Sequence, residues 1–250
     1  MDAANYASLD SQLGDAPCRC EDTEEMFWLR ESDDYESRVR LGNLLSGQYR
    51  FREALDAYRS AARIRGDDPA LWLRMGGAHL TLRHFDEAKA AYDRSCLLSG
   101  SEKTAAFQMG VWHYLRGDYR SAAERFAAVP PCSDELLIAV LYWHALSCMR
   151  NQFPDGLITA YRDGLQVGHH TAYRSAVELF LGRISPKEAF SRAAREENDL
   201  DAVILLYGLS RYFAHGGDRP ASEEAMAALL RRESVWPCIS YLAAWNDRCG

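Results

Sequence analysis

The sequence has no apolar run able to cross a bilayer. Its longest, Leu136 to Trp143, falls far short of the roughly 20 residues that a spanning helix needs. Its opening residues, Met1-Asp2-Ala3-Ala4-Asn5, have neither the cationic start nor the apolar stretch of a secretory signal. Positive charge is also short: 29 Lys and Arg stand against 36 Asp and Glu, a formal net charge of −7. Binding along a phosphate backbone needs a basic face, so it is not expected as the main activity. The seven cysteines are odd in number and scattered, which suits reduced thiols used as small apolar residues rather than a disulfide framework. Cys18-x-Cys20 has no second pair at zinc-ligand spacing. No Gly-rich phosphate loop, HExxH or GxSxG is present. These absences predict a cytoplasmic protein that is not an enzyme, with no cofactor, no metal, no nucleic-acid partner and no membrane partner.

What is present is a repeat. An aromatic returns at a spacing of 34 residues: Phe51, Phe85, Tyr119 and Phe153. Three residues on stand Ala54, Ala88, Ala122 and Gly156, and seven on stand Tyr58, Tyr92, Phe126 and the exception, Ala160. Nine before the aromatic lie Gly42, Gly76 and Gly110, then His144; ten before it lie Leu41, Met75, Met109 and Trp143. A helical pattern with a period in the low thirties predicts a stacked array of helical hairpins. The 48% hydrophobic content fits a packed chain rather than a disordered one, and no stretch shows strand alternation.

These columns resemble the tetratricopeptide repeat (TPR) family, whose unit places Trp, Leu-Gly and Tyr in a first helix, then Tyr, Ala, an aromatic and Ala in a second. The second copy reads Trp72, Met75-Gly76, His79, Phe85, Ala88, Tyr92 and Ser95, and the third Met109-Gly110, His113, Gly117, Tyr119, Ala122 and Phe126. The fourth matches least, with His144 at the Gly position. The resemblance implies an all-α, right-handed α-solenoid of TPR-like hairpins with atypical C-terminal repeats. It divides the chain into a tail over 1–20, a short helix or tethered segment over 21–34, and repeats over 35–68, 69–102, 103–136 and 137–170. Degenerate repeats and a capping helix follow over 171–250. The knot Met26-Phe27-Trp28-Leu29 is read either as a cover for the first repeat or as a peptide that visits the groove.

Helix punctuation is plain along the chain. Asp22 or Thr23 can cap the first segment, and Asp67-Asp68-Pro69 resets the chain for a helix near 69–81. Other helices are expected near 35–46, 52–65, 85–98, 103–115, 119–128 and 134–150, with Pro154 opening a partner helix to about 166. Further helices are expected near 171–182, 199–214, 220–232 and 235–247. Ser185-Pro186-Lys187-Glu188 reads as a capping box opening another, to about 196.

In TPR proteins the first helices of the hairpins line a concave groove. Carried over position by position, the resemblance implies a partner-binding groove that includes Arg40, Asn43, Leu73, Arg74, Phe107, Val111, Tyr114, Leu141 and Met149. The middle of this set is apolar, as a surface for an apolar helix or extended peptide would be; the alternative is that the chain's own terminal helices, or a second copy, fill it. The carboxylate clamp of one TPR subclass is not implied: Asn43 matches it, but Val39, Arg74, Thr104 and Gln108 replace its other members. The expected function is an adaptor or scaffold that binds a protein or peptide, which could also be its own N-terminal segment or a second copy. The alternatives are a cytoplasmic chaperone for secreted or aggregation-prone clients and a self-associating structural protein. His79 and His113 sit where the family packs a Tyr, and so read as core residues.

Overall fold

A computed structural model describes residues 21–249, with side chains to 248; the Cys18-x-Cys20 pair lies outside the described residues. Among the described residues there are thirteen α-helices and no strand. They are α1 (Glu24–Glu31), α2 (Tyr35–Gly47), α3 (Phe51–Ile64), α4 (Pro69–Thr81), α5 (Phe85–Ser99), α6 (Ala106–Leu115) and α7 (Tyr119–Ala127). Then come α8 (Asp134–Asn151), α9 (Thr171–Phe180), α10 (Pro186–Arg195), α11 (Asp199–His215), α12 (Arg219–Leu230) and α13 (Ile239–Cys249). No described helix is long and apolar enough to cross a membrane. The chain forms two compact units that divide between Gln108 and Met109.

The helices start where a side chain can satisfy their orphan N–H groups. Thr23 accepts from Met26 N, Asp34 from Ser37 N and Asp68 from Ala70 N, the last with Pro69 in the first turn. Ser133 accepts from Leu136 N, and Ser185 from Glu188 N. The hairpin turns repeat as well: Arg50 N donates to Leu45 O, His84 N to His79 O and Asp118 N to His113 O, at 2.9, 2.9 and 3.0 Å. Each turn contains a left-handed residue at Tyr49, Arg83 or Gly117.

Small residues set how closely the paired helices approach. A Cβ on Gly42 would lie 2.3 Å from the Tyr58 ring, one on Gly76 2.3 Å from Tyr92, and one on Gly110 2.6 Å from Phe126. No side chain fits there, so each ring lies directly on the backbone of the facing helix.

In the first unit, α1 packs on α2 and buries Met26 with Tyr35, Leu41, Leu45 and Leu55. The segment therefore covers the first hairpin. Asp22 and Glu53 hold it there through Arg30 and Arg50. The Tyr35 hydroxyl donates to Asp68 at 2.6 Å, which ties the start of α2 to the cap of α4.

The second unit is built on two helices buried nearly all round, which is why they carry no amphipathic stripe. In α8 every residue from Ile138 to Cys148 is buried, and in α11 every residue from Ala202 to Ser210. Helices α7, α9 and α11 pack on α8, while α9, α10, α12 and α13 pack on α11.

Three expectations need correction. The helix from Pro154 to about 166 is not formed; only a 3₁₀ turn, Leu157–Ala160, stands there. Its sequence explains this: Ala160 offers no ring to bury, and Gly156, Ile158 and Thr159 are poor helix formers. His144 instead brings a bulky side chain to the Gly column and bonds Asp155 at 2.8 Å. Asp155 also accepts from Leu157 N and Ile158 N, each at 3.0 Å. The clasp holds the turn. The helix near 103–115 opens as a 3₁₀ turn, Glu102–Ala105, where Ser101 accepts from Lys103 N. The last helix starts at Ile239 rather than near 235, because Pro237 cannot supply a hydrogen bond inside a helix.

Adjacent glycines on α4 test the close contact. Gly76→Ala pushes into Tyr92 and should cost about 1–3 kcal/mol. A Cβ on Gly77 meets nothing within 4 Å, so Gly77→Ala should be neutral or add up to about 1 kcal/mol. Urea denaturation of both variants reads the difference; equal effects would refute the close-contact account. A second prediction concerns pH. Burial, then the neighbouring His84, lowers the pKa of His79 to about 4, whereas an unfolded histidine titrates near 6.5. The unfolded chain thus binds the extra proton, and stability present in full above about pH 6.5 is lost as pH falls towards 4. Asp22, held at about 2 by Arg30 and Arg50, acts in a separate window below about pH 4. Between pH 7 and 4.5 wild type should lose roughly 1–3 kcal/mol more stability than His79→Gln. Equal losses would show that His79 is not held neutral.

Candidate partner-binding surfaces

In the first unit the groove positions remain partly open. Asn43 is exposed on α2, and its Oδ1 accepts from the Tyr58 hydroxyl at 2.9 Å. The ring that fills the Gly42 contact therefore also fixes the orientation of a surface amide. Leu73 on α4 is half-buried and Arg74 beside it is exposed. Arg74 lies near enough to Tyr58 and Asp68 to favour their charged forms. Above Gly77 the space is open. Arg40 is exposed but paired with Glu25 of α1, so it holds the covering segment. Phe107 is half-buried.

In the second unit Val111, Tyr114 and Leu141 are covered by the chain's own helices, the self-filling alternative rather than an open apolar surface. Val111, Tyr114 and Leu141 are buried, Leu141 completely. The Tyr114 and Tyr207 hydroxyls are 2.9 Å apart, and Trp143 packs its ring against both. Tyr142 donates to Ile204 O at 2.8 Å, and Asn246 of α13 donates to Leu115 O at 3.0 Å. Helices α11 and α13 thus cover these positions. Met149 alone among these positions stays half-buried, near the end of α8.

Asp247 gathers the polar groups of this packing. It accepts from Tyr207 at 2.9 Å, and pairs with Arg150 at 2.7 Å and Arg211 at 3.2 Å. Burial works against the Arg150 charge, but Asp247 and the surrounding tyrosines more than offset it, so its pKa is raised. Burial raises the Tyr114 and Tyr207 hydroxyls too, with the Asp247 charge adding to it.

His144, Cys148 and Asp155 bring three potential metal-ligand atoms within 4.8 Å of one another. Hydrogen bonding accounts for their arrangement. Asp155 and the Cys148 sulfur both address His144 Nδ1, at 2.8 and 3.6 Å. A relay from carboxylate through imidazole to a nucleophile would need both ring nitrogens. Burial, then the Asp155 charge, pushes the Cys148 thiol up to about 12, whereas a nucleophile must be the thiolate. The cluster is a clasp for the 3₁₀ turn. Sequence reading missed it because Asp155 looked like part of a helix; the paired exchange of Gly for His144 and of ring for Ala160 was the available signal. His79 is buried, 3.3 Å from His84, and His113 is half-buried, 3.1 Å from Asp118.

No family model matches this chain. Over 91 residues it is 31% identical to the peroxisomal targeting signal receptor of Eremothecium gossypii, and over 93 residues 31% identical to that of Candida albicans. The receptor of the same name from Kluyveromyces lactis is 28% identical over 91 residues. These matches span 36–37% of this chain but only 16% of each receptor. The chain is thus similar to one segment of proteins named as receptors.

Proposed function

We propose that this chain is a protein-binding module whose first unit takes a short partner segment, extended or helical, on the faces of α2 and α4. The observation that carries the reading is that Asn43, Leu73, Arg74 and the space over Gly77 stay accessible, while the corresponding positions of the second unit are filled. An apolar side chain of the partner would lie against Leu73, with Phe107 adding contact area. Asn43, its oxygen held by Tyr58, keeps its Nδ2 donors for a backbone carbonyl. Arg74 would pair with an acidic group. Similarity to targeting signal receptors supports a peptide as ligand, and a peptide-binding role needs no catalytic group. We read the module as an adaptor working in the cytoplasm.

Peptide display on the full chain tests this. Enriched peptides should combine an apolar anchor with an acidic residue. Leu73→Asp should weaken them by about 1–3 kcal/mol, the usual worth of a buried anchor, and Gly77→Trp should block them with helicity retained. Arg74→Glu should reverse the preference for acidic residues. Peptides that bind all three variants as well as wild type, or a selection that enriches none, would sink the proposal.

A further inference from the structure

The second unit contains a cavity of about 610 Å³, within the size range of small-molecule sites. It lies at the C-terminal ends of α8 and α11, and two kinds of wall meet there. Met149, Phe153 and Ala214 supply apolar surface; Arg150, Arg211 and His215 supply hydrogen-bond donors.

Its charge is not balanced by the groups that hold it. Arg150 and Arg211 share the single carboxylate of Asp247, so one positive charge is left over in this set. Both guanidiniums are held in place. Arg150 also donates to the Tyr119 hydroxyl and lies over its ring, 4.5 Å from the centroid. Arg211 donates to Ser210 at 3.0 Å and its side chain is only 12% exposed. The ends of two helices would by themselves disfavour an anion. Here part of that negative end is already taken up: Phe153 N donates to Cys148 O, Gly216 N to Tyr212 O, Gly217 N to Ala214 O and Asp218 N to Phe213 O. Fixed guanidinium donors close to apolar walls favour a planar or tetrahedral oxyanion joined to an apolar body.

We propose that this cavity binds a small organic anion, a carboxylate or phosphate carried on an apolar group. The site stands apart from the peptide-binding reading, since it uses none of the first unit's residues.

Calorimetric titration of the full chain with hexanoate, phenyl phosphate, inorganic phosphate and hexylammonium tests it. Hexanoate or phenyl phosphate should bind saturably below ~1 mM, and whichever is tighter identifies the oxyanion. Hexylammonium should not bind. Ala214→Glu places a carboxylate on the wall one helical turn from Arg211, where it competes for the unbalanced charge, and should weaken binding about tenfold or more. Ala214→Gln, nearly the same size, should retain most of it. The proposal is overturned if neither organic anion saturates, or if hexylammonium binds equally well. It is likewise overturned if Ala214→Glu leaves affinity intact or Ala214→Gln is just as damaging. Inorganic phosphate matching phenyl phosphate would overturn the role of the apolar walls.

Discussion

An aromatic ring laid on a bare stretch of backbone governs the first three hairpins. Gly42, Gly76 and Gly110 admit Tyr58, Tyr92 and Phe126 to distances that any Cβ would forbid. The contact works only if glycine and ring keep their spacing along the chain, so the repeat length and the helix separation are one constraint. It also reaches the surface. Tyr58 extends beyond the contact to hold Asn43, so the packing of the core and the orientation of an exposed amide depend on one side chain.

The fourth hairpin keeps the volume but moves it. His144 takes the place of glycine, Ala160 takes the place of the ring, and the second helix gives way to a short turn clasped through Asp155. Without that helix, α8 must be covered by other elements. Helices α9 and α11 do this, and α13 completes the packing around Tyr207 through Asp247. One exchange in the repeat thus changes how the rest of the second unit is assembled. It also explains why Val111, Tyr114 and Leu141 are not surface.

Most of the helix architecture was legible because it is written locally. Asp34, Asp68-Pro69, Ser133 and Ser185 mark starts that need only neighbouring N–H groups, and they perform that task in the fold. Pro154 misled because a proline at a first helical turn looks the same whether or not the next residues have anything to bury. The binding surface was less legible. Leu73 and Leu141 occupy the same repeat position two periods apart, yet Leu141 is fully buried, beside Tyr142, which donates to Ile204 62 residues further on. No local pattern carries that information. The Arg150–Asp247–Arg211 cluster is hidden for the same reason: its members are on three helices.

These separations give the two units different histories during synthesis. In the first unit, the tie between Tyr35 and Asp68 closes within 33 residues. Hairpin stacking there can begin soon after each pair leaves the ribosome. In the second, Leu115 waits for Asn246, 131 residues later, and Arg150 and Arg211 wait for Asp247. Contacts this distant in sequence are slow to form and leave their partners exposed meanwhile. Until α11 is made, Tyr114 and Trp143 lack the Tyr207 ring that packs on both, and until α13 is made Arg150 and Arg211 lack the carboxylate they share. The surface that is sealed in the finished protein is, for that interval, one that a chaperone can hold.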